Sequence, residues 1–185
     1  MKFAFIYPGQ GSQALGMGKE FFETSAKAKE LFELASETLG YSFEKLIFED
    51  EERLNISEFS QPSIVLISAV IGDALKERIG IEPSFVLGHS LGEFSALFEA
   101  GAIEFDELLK LVSRRGRLMQ KACGDTETGM SVVLGLDDEA VEGVCESLRQ
   151  EGLKIWCANY NTDGQVVVAG IKSDLESSKD SFLSA

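Results

Sequence analysis

Between Ser25 and Gly40 the apolar residues Ala28, Leu31, Phe32, Ala35 and Leu39 recur three and four apart, which predicts an amphipathic helix closed by the glycine. A second helix is predicted from Pro62, whose missing N–H costs nothing at a first helical position, to about residue 79, with Gly80 as its cap. Positions 64–67, 69–71, 74 and 75 of that helix are all apolar, so it should be buried nearly all round. The apolar runs at 1–7 and 84–88 read as strands, and residues 93–100 and 106–121 as further helices. The acidic run Glu49-Asp50-Glu51-Glu52 reads as a solvated loop, and Phe21-Phe22 as core.

The polar, glycine-bounded stretch 123–129 marks a boundary, and beyond it the pattern changes. A strand at 130–134, a helix at 138–150, strands at 153–159 and 165–169 and a helix from Ser173 follow, with Asn161-Thr162-Asp163-Gly164 as the hairpin loop. This βαββα order is one strand short of the ferredoxin-like split βαβ. The predicted organisation is therefore α/β, with a large lobe over 1–124 and a small lobe over 125–185, both incomplete at the C-terminus.

Composition narrows the function classes. Hydrophobic residues make up 44% and charged residues 26% of the 185, a soluble globular profile, and no apolar run approaches the ~18 residues of a membrane span. The N-terminal run meets Pro8 and Gly9 too soon for a signal peptide. A net charge of −14 argues against nucleic-acid binding. Three cysteines without metal-type spacing and one histidine exclude an ordinary zinc site and point to reduced thiols in the cytoplasm.

The chemistry concentrates in Gly88-His89-Ser90-Leu91-Gly92, between the strand ending at 88 and the helix beginning near 93. Strand, G-x-S-x-G and helix in that order form the pattern of a nucleophile elbow: the flanking glycines allow a turn too tight for a Cβ, and the serine hydroxyl is exposed at a helix N-terminus. A bare G-x-S-x-G is also compatible with a glycine-rich turn and a capping serine. The first strand likewise runs into Pro8-Gly9-Gln10-Gly11-Ser12-Gln13, where glycine permits close approach of main chain at the strand's carboxyl end. Its spacing is not that of a dinucleotide or P-loop cradle.

These two motifs, with Arg114-Arg115-Gly116-Arg117-Leu118-Met119-Gln120 and Asn159-Tyr160-Asn161-Thr162-Asp163-Gly164-Gln165-Val166-Val167-Val168-Ala169-Gly170, resemble the malonyl-CoA:acyl carrier protein transacylases, relatives of the acyltransferase domains of fatty acid and polyketide synthases. The similarity runs over essentially the whole chain. It implies an α/β-hydrolase-like large lobe with a parallel sheet beside the ferredoxin-like small lobe. It also implies transfer of a malonyl group from malonyl-CoA to the phosphopantetheine thiol of acyl carrier protein in fatty acid synthesis, without a cofactor, metal, nucleic acid or membrane. Carried over by residue, Ser90 would accept the acyl group and the N–H groups of Gln10 and Leu91 would form the oxyanion hole. Arg115 would pair with the malonyl carboxylate. His89 matches a motif residue, and Asn159 and Asn161 match asparagines that line the cleft between lobes. The family's general-base histidine lies beyond the last residue here, so the chain is expected to be an N-terminal part with little activity of its own.

Blander assignments stand beside these. Arg114, Arg117 and Lys121 suit a solvated helix face, although the cluster Lys110 to Lys121 is a candidate for steering an acidic carrier protein toward an acidic enzyme. His89 suits a packed motif residue better than a base, because adjacent side chains on a strained turn point apart. The competing functions are a serine esterase or thioesterase, which would prefer no arginine in its acyl pocket, and a non-catalytic fragment that binds acyl carrier protein.

Overall fold

The first apolar run forms β1 (Ala4–Tyr7), which pairs in parallel with β2 (Phe85–Gly88), Ala4 opposite Phe85 and Tyr7 opposite Gly88. Parallel pairing brings both carboxyl ends to one edge, where the His89 N–H donates to the Tyr7 carbonyl at 3.3 Å. The structure, a computed structural model, describes residues 2–124 and 126–185. Met1 of the predicted first strand and Asp125, the predicted start of the small lobe, lie outside the described residues. The chain divides into two compact units, Met1–Ala122 and Cys123–Ala185.

In the first unit β1 is followed by α1 (Lys19–Thr24), α2 (Ala26–Leu39), α3 (Phe43–Glu49), α4 (Glu51–Leu54) and α5 (Ser57–Ile79). After β2 come α6 (Gly92–Glu99) and α7 (Phe105–Cys123). The helix predicted from the Ser25–Gly40 pattern is α2: Ser25 accepts the Ala28 N–H, and Gly40 closes it at φ 77°. Helix α5 is buried along most of its length, with Val65 and Leu66 at 1% and 0% exposure. Each such side chain contributes about 1.5–3 kcal/mol. That outweighs the propensity cost of its serine and β-branched residues, up to about 0.7 kcal/mol apiece.

Two expectations are corrected here. Pro62 does not open α5 but lies inside it, because the helix begins at Ser57. Phe59 on the added turn stacks edge-on with Tyr41, ring centroids 5.3 Å apart, and Arg53 lies over its face at 4.4 Å. Proline this near an N-terminus removes one hydrogen bond where few are closed, a loss the added packing offsets. The acidic run 49–52 is not a loop: Asp50 caps α4 by accepting the Arg53 N–H, and Glu51 and Glu52 occupy the first turn, where the helix dipole favours carboxylates.

A half-buried polar knot ties β1 to α5 and α6. The Tyr7 hydroxyl donates to Glu99 at 3.0 Å, and Lys76 pairs with the other Glu99 oxygen at 3.0 Å and with Asp73 at 3.2 Å. Burial, reinforced by the Glu99 charge, pushes the Tyr7 hydroxyl far above its ordinary range, so it stays a donor.

The second unit contains β3 (Thr128–Leu134), α8 (Asp138–Gln150), β4 (Ile155–Thr162), β5 (Gln165–Ile171), α9 (Lys172–Ser177) and α10 (Lys179–Ser184). Its antiparallel sheet has the order β3-β5-β4. The expected four-residue hairpin loop is shorter, because β4 runs on through Thr162 and leaves Asp163 and Gly164 as the turn. Val141, Cys145, Ile155, Val166 and Val168 form its core. Burial first, and then the neighbouring Cys157, pushes the Cys145 thiol up to about 12. Iodoacetamide at pH 8 is therefore expected to label exposed Cys123 well before Cys145, as read by peptide mass spectrometry; equal rates would show the second core to be open.

Candidate functional site

Ser90 has φ 52°, the one positive value among the described non-glycine residues. A side chain there costs roughly 1–3 kcal/mol and persists only where the surroundings hold it. Here they do. A Cβ added to Gly88 would meet the Gly92 carbonyl carbon at 2.0 Å, and one on Gly92 would meet the Tyr7 carbonyl oxygen at 2.2 Å. Strand, turn and helix are thus pressed together with no room at either flank, and Ser90 stands exposed between them.

Leu91, the N-cap of α6, is fully buried and anchors the turn in the core. The N–H groups of Gly92, Glu93 and Phe94 close back on the carbonyls of His89, Ser90 and Leu91. The loop after β1 comes against this turn: a Cβ on Gly9 would lie 2.9 Å from the His89 carbonyl oxygen. Main chain beside Gln10 and main chain beside Leu91 therefore meet at the same sheet edge.

The third contributor comes from α7. Gly116 lets that helix touch the start of α5, since a Cβ there would meet the Ser57 carbonyl oxygen at 2.3 Å. One residue earlier, half-buried Arg115 reaches the elbow and donates to the Ser90 hydroxyl at 3.1 Å. Its other terminal nitrogen donates to the Gln61 side-chain oxygen at 2.8 Å, and its guanidinium carbon lies 5.5 Å from the centre of the Phe94 ring. Gln61 in turn donates to the Gln10 side-chain oxygen at 3.1 Å, and Gln10 donates to the Ser57 hydroxyl at 2.9 Å.

Gln10, Ser90, Leu91 and Arg115 thus come together within the first unit. Gln61 and Ser57 belong with them and escape sequence reasoning. The sequence does not single out Gln61, which precedes the helix start expected at Pro62; it is the structure that shows a buried amide on α5 needing partners. Asn159 and Asn161 belong to the second unit, on β4, where Asn159 faces Val167 at an irregularity and Asn161 donates to Gln165 at 3.1 Å. His89 is exposed at the turn, with its ring beside the loop after β1: a Cβ on Gly9 would lie 3.1 Å from its Nδ1.

The basic cluster on α7 is also smaller than its sequence suggests. Lys110 pairs with Asp106 at 2.8 Å, holding that carboxyl below its usual range, and Arg117 pairs with Glu58 at 3.3 Å. Among the described residues no group of His, Cys, Asp or Glu is arranged to hold a metal ion, and no helix is long and apolar enough to cross a membrane.

Residues 4–178 match the acyl transferase domain family. The chain is 43% identical over 176 residues to a malonyl CoA-acyl carrier protein transacylase of Bacillus subtilis (strain 168), covering 95% of this chain and 55% of that protein. A protein so described from Staphylococcus aureus (strain MSSA476) is 39% identical, again covered over 55% of its length. The chain therefore spans little more than half the length of these relatives. Malonyl-CoA:acyl carrier protein transacylase from Helicobacter pylori superposes on the whole chain with a TM-score of 0.89 at 42% identity, 59% of it being covered. A malonyl-transacylase solved with a type II polyketide synthase acyl-carrier protein does so with a TM-score of 0.90 at 38% identity, 60% being covered. An elbow serine, an arginine donating to it and a match over nearly the full length have one conclusion: the chain belongs to the acyl transferase domain family.

Proposed function

We propose that this chain carries the acyl-accepting machinery of a malonyl transferase that moves malonyl groups from malonyl-CoA to the phosphopantetheine thiol of acyl carrier protein in the cytoplasm. The observation that carries the reading is the 3.1 Å contact between Arg115 and Ser90. A malonyl group esterified to Ser90 places its free carboxylate two carbons from the ester oxygen, within reach of that guanidinium. Planar guanidinium and carboxylate pair through two parallel N–H···O bonds, which an acetyl group cannot reciprocate. The relatives' names and the solved carrier-protein complex support the same substrates.

In this reading the Ser90 oxygen attacks the thioester carbon, the C–S bond breaks, and coenzyme A leaves as the thiol. The N–H groups of Gln10 and Leu91 receive the oxyanion. The carrier thiol then reverses the step and frees Ser90. Every group transferred is carried by substrate or serine, so no cofactor enters. Residues 1–124 read as an α/β-hydrolase-like large lobe and 125–185 as a ferredoxin-like small lobe, with Asn159 and Asn161 on β4 of the latter. In this reading His89 belongs to the turn and not to proton transfer, Ser90 loses its proton to solvent, and ester formation is slow.

Incubation with malonyl-CoA followed by intact-mass measurement tests this. A small fraction of the chain is expected to gain one malonyl group on Ser90, and the Ser90→Ala variant none. Equal gain in both would overturn the assignment of the nucleophile.

A further inference from the structure

We propose that Gln61 is a positioning residue that aims Arg115 without neutralising it, and thereby sets the preference for an acyl group bearing a carboxylate. The inference rests on the proposed malonyl transfer. Gln61 is fully buried, on the second turn of α5, and its amide is bonded on both sides. Arginine has donors only, so the group facing Arg115 must be the Gln61 oxygen. That choice turns the Gln61 nitrogen toward the Gln10 side-chain oxygen at 3.1 Å and the Met119 sulfur at 3.4 Å. The Gln10 nitrogen is then left for Ser57 at 2.9 Å. One cation thus orders the amides of Gln61 and Gln10, and both are indexed to the first turns of the same buried helix.

The neutrality of Gln61 is the functional point. A glutamate at this position would hold Arg115 equally well and cancel its charge. Among the described residues no carboxylate pairs with Arg115, whereas Arg53 and Arg117 each have one. Two of the guanidinium's five N–H groups are engaged by Gln61 and Ser90, which leaves donors and a net positive charge for an incoming carboxylate.

Calorimetric titration of the chain with malonyl-CoA and with acetyl-CoA tests the proposal. Gln61→Glu is expected to weaken malonyl-CoA by roughly tenfold or more, the effect of cancelling a paired charge, and to leave acetyl-CoA within about twofold. Gln61→Met, which keeps the volume and removes the acceptor, is expected to reduce the malonyl preference by several-fold. A residue that merely supported the fold would weaken both ligands together. Unchanged preference in Gln61→Glu, or equal loss of both ligands, overturns the inference. If Arg115→Ala removes the preference and both Gln61 variants keep it, the inference fails while the proposed function stands. If the unaltered chain shows no preference for malonyl-CoA, the proposed function fails and takes the inference with it.

Discussion

Gly92→Ala is expected to lower the stability of the first unit by about 2 kcal/mol or more, although the same exchange strengthens most helices. Alanine in place of glycine raises helix propensity by up to about 1 kcal/mol and restricts the unfolded chain by a further ~0.4–1 kcal/mol. At Gly92 the added methyl would lie 2.2 Å from the Tyr7 carbonyl oxygen, 2.8 Å from its carbon and 3.0 Å from the Pro8 oxygen. All three are backbone atoms of β1 and the loop behind it, so no rotamer change relieves the clash. Strand β1 must draw back from the elbow, straining its ladder with β2 and the contact between Tyr7 and Glu99. Overpacking against a side chain costs about 1–3 kcal/mol; against a paired strand it belongs at or beyond the upper end.

Gly143→Ala on α8 supplies the contrast, because nothing lies within 4 Å of that position. There the propensity gain of ~0.5–1 kcal/mol should appear undiminished. Urea unfolding distinguishes the two. Helical circular dichroism weights the first unit, with its seven helices among the described residues, while the sole tryptophan, Trp156, reports the second. Gly92→Ala should lower the dichroism midpoint; Gly143→Ala should raise the fluorescence midpoint. An unchanged dichroism midpoint for Gly92→Ala would mean that helix and strand are not in contact at the elbow.

The same contacts explain which parts of the molecule could be read from residues alone. Helix α2 was readable because Ser25, a five-residue apolar stripe and Gly40 all act locally. The elbow was readable for a related reason: two glycines spaced around a serine encode a steric requirement that the structure expresses as distances of 2.0 and 2.2 Å. Pro62 misled because its preference for a first turn is local, whereas the start of α5 is decided by Phe59 packing on Tyr41 and Arg53. Residues 49–52 misled because solvated charge and helix-dipole charge look alike until Asp50 is seen to cap. Gln61 was unreadable as a site residue because its partners, Gln10 and Arg115, lie 51 and 54 residues away. Long-range polar pairing leaves no periodicity in the sequence, only an amide where an aliphatic residue would otherwise sit.

Arg115→Ala is expected to reduce the affinity of the chain for malonyl-CoA by roughly 30- to 150-fold, about 2–3 kcal/mol, and to change that for acetyl-CoA little. The estimate follows from the environment of the guanidinium. It is half-buried, so the pair it would form is worth more than a solvent-exposed one at ~0–1 kcal/mol, yet less than a fully desolvated pair, whose disruption costs ~3–5 kcal/mol. Its donors rest on two neutral oxygens, those of Gln61 and Ser90, at 2.8 and 3.1 Å. A carboxylate replaces a neutral partner by a charged one, and an acetyl methyl offers no replacement. In the proposed malonyl transfer selectivity comes from what acetyl-CoA fails to supply, so deleting the arginine should erase discrimination and not reverse it. Arg115→Lys separates charge from geometry: a point charge keeps part of the attraction but cannot present two parallel donors, and should recover only a fraction of the lost affinity. An esterase acting on neutral acyl groups would behave in the opposite way, gaining acetyl-CoA affinity once the cation is gone. Equal losses for both ligands in Arg115→Ala would place the arginine in the scaffold of the elbow and leave the acyl group unread.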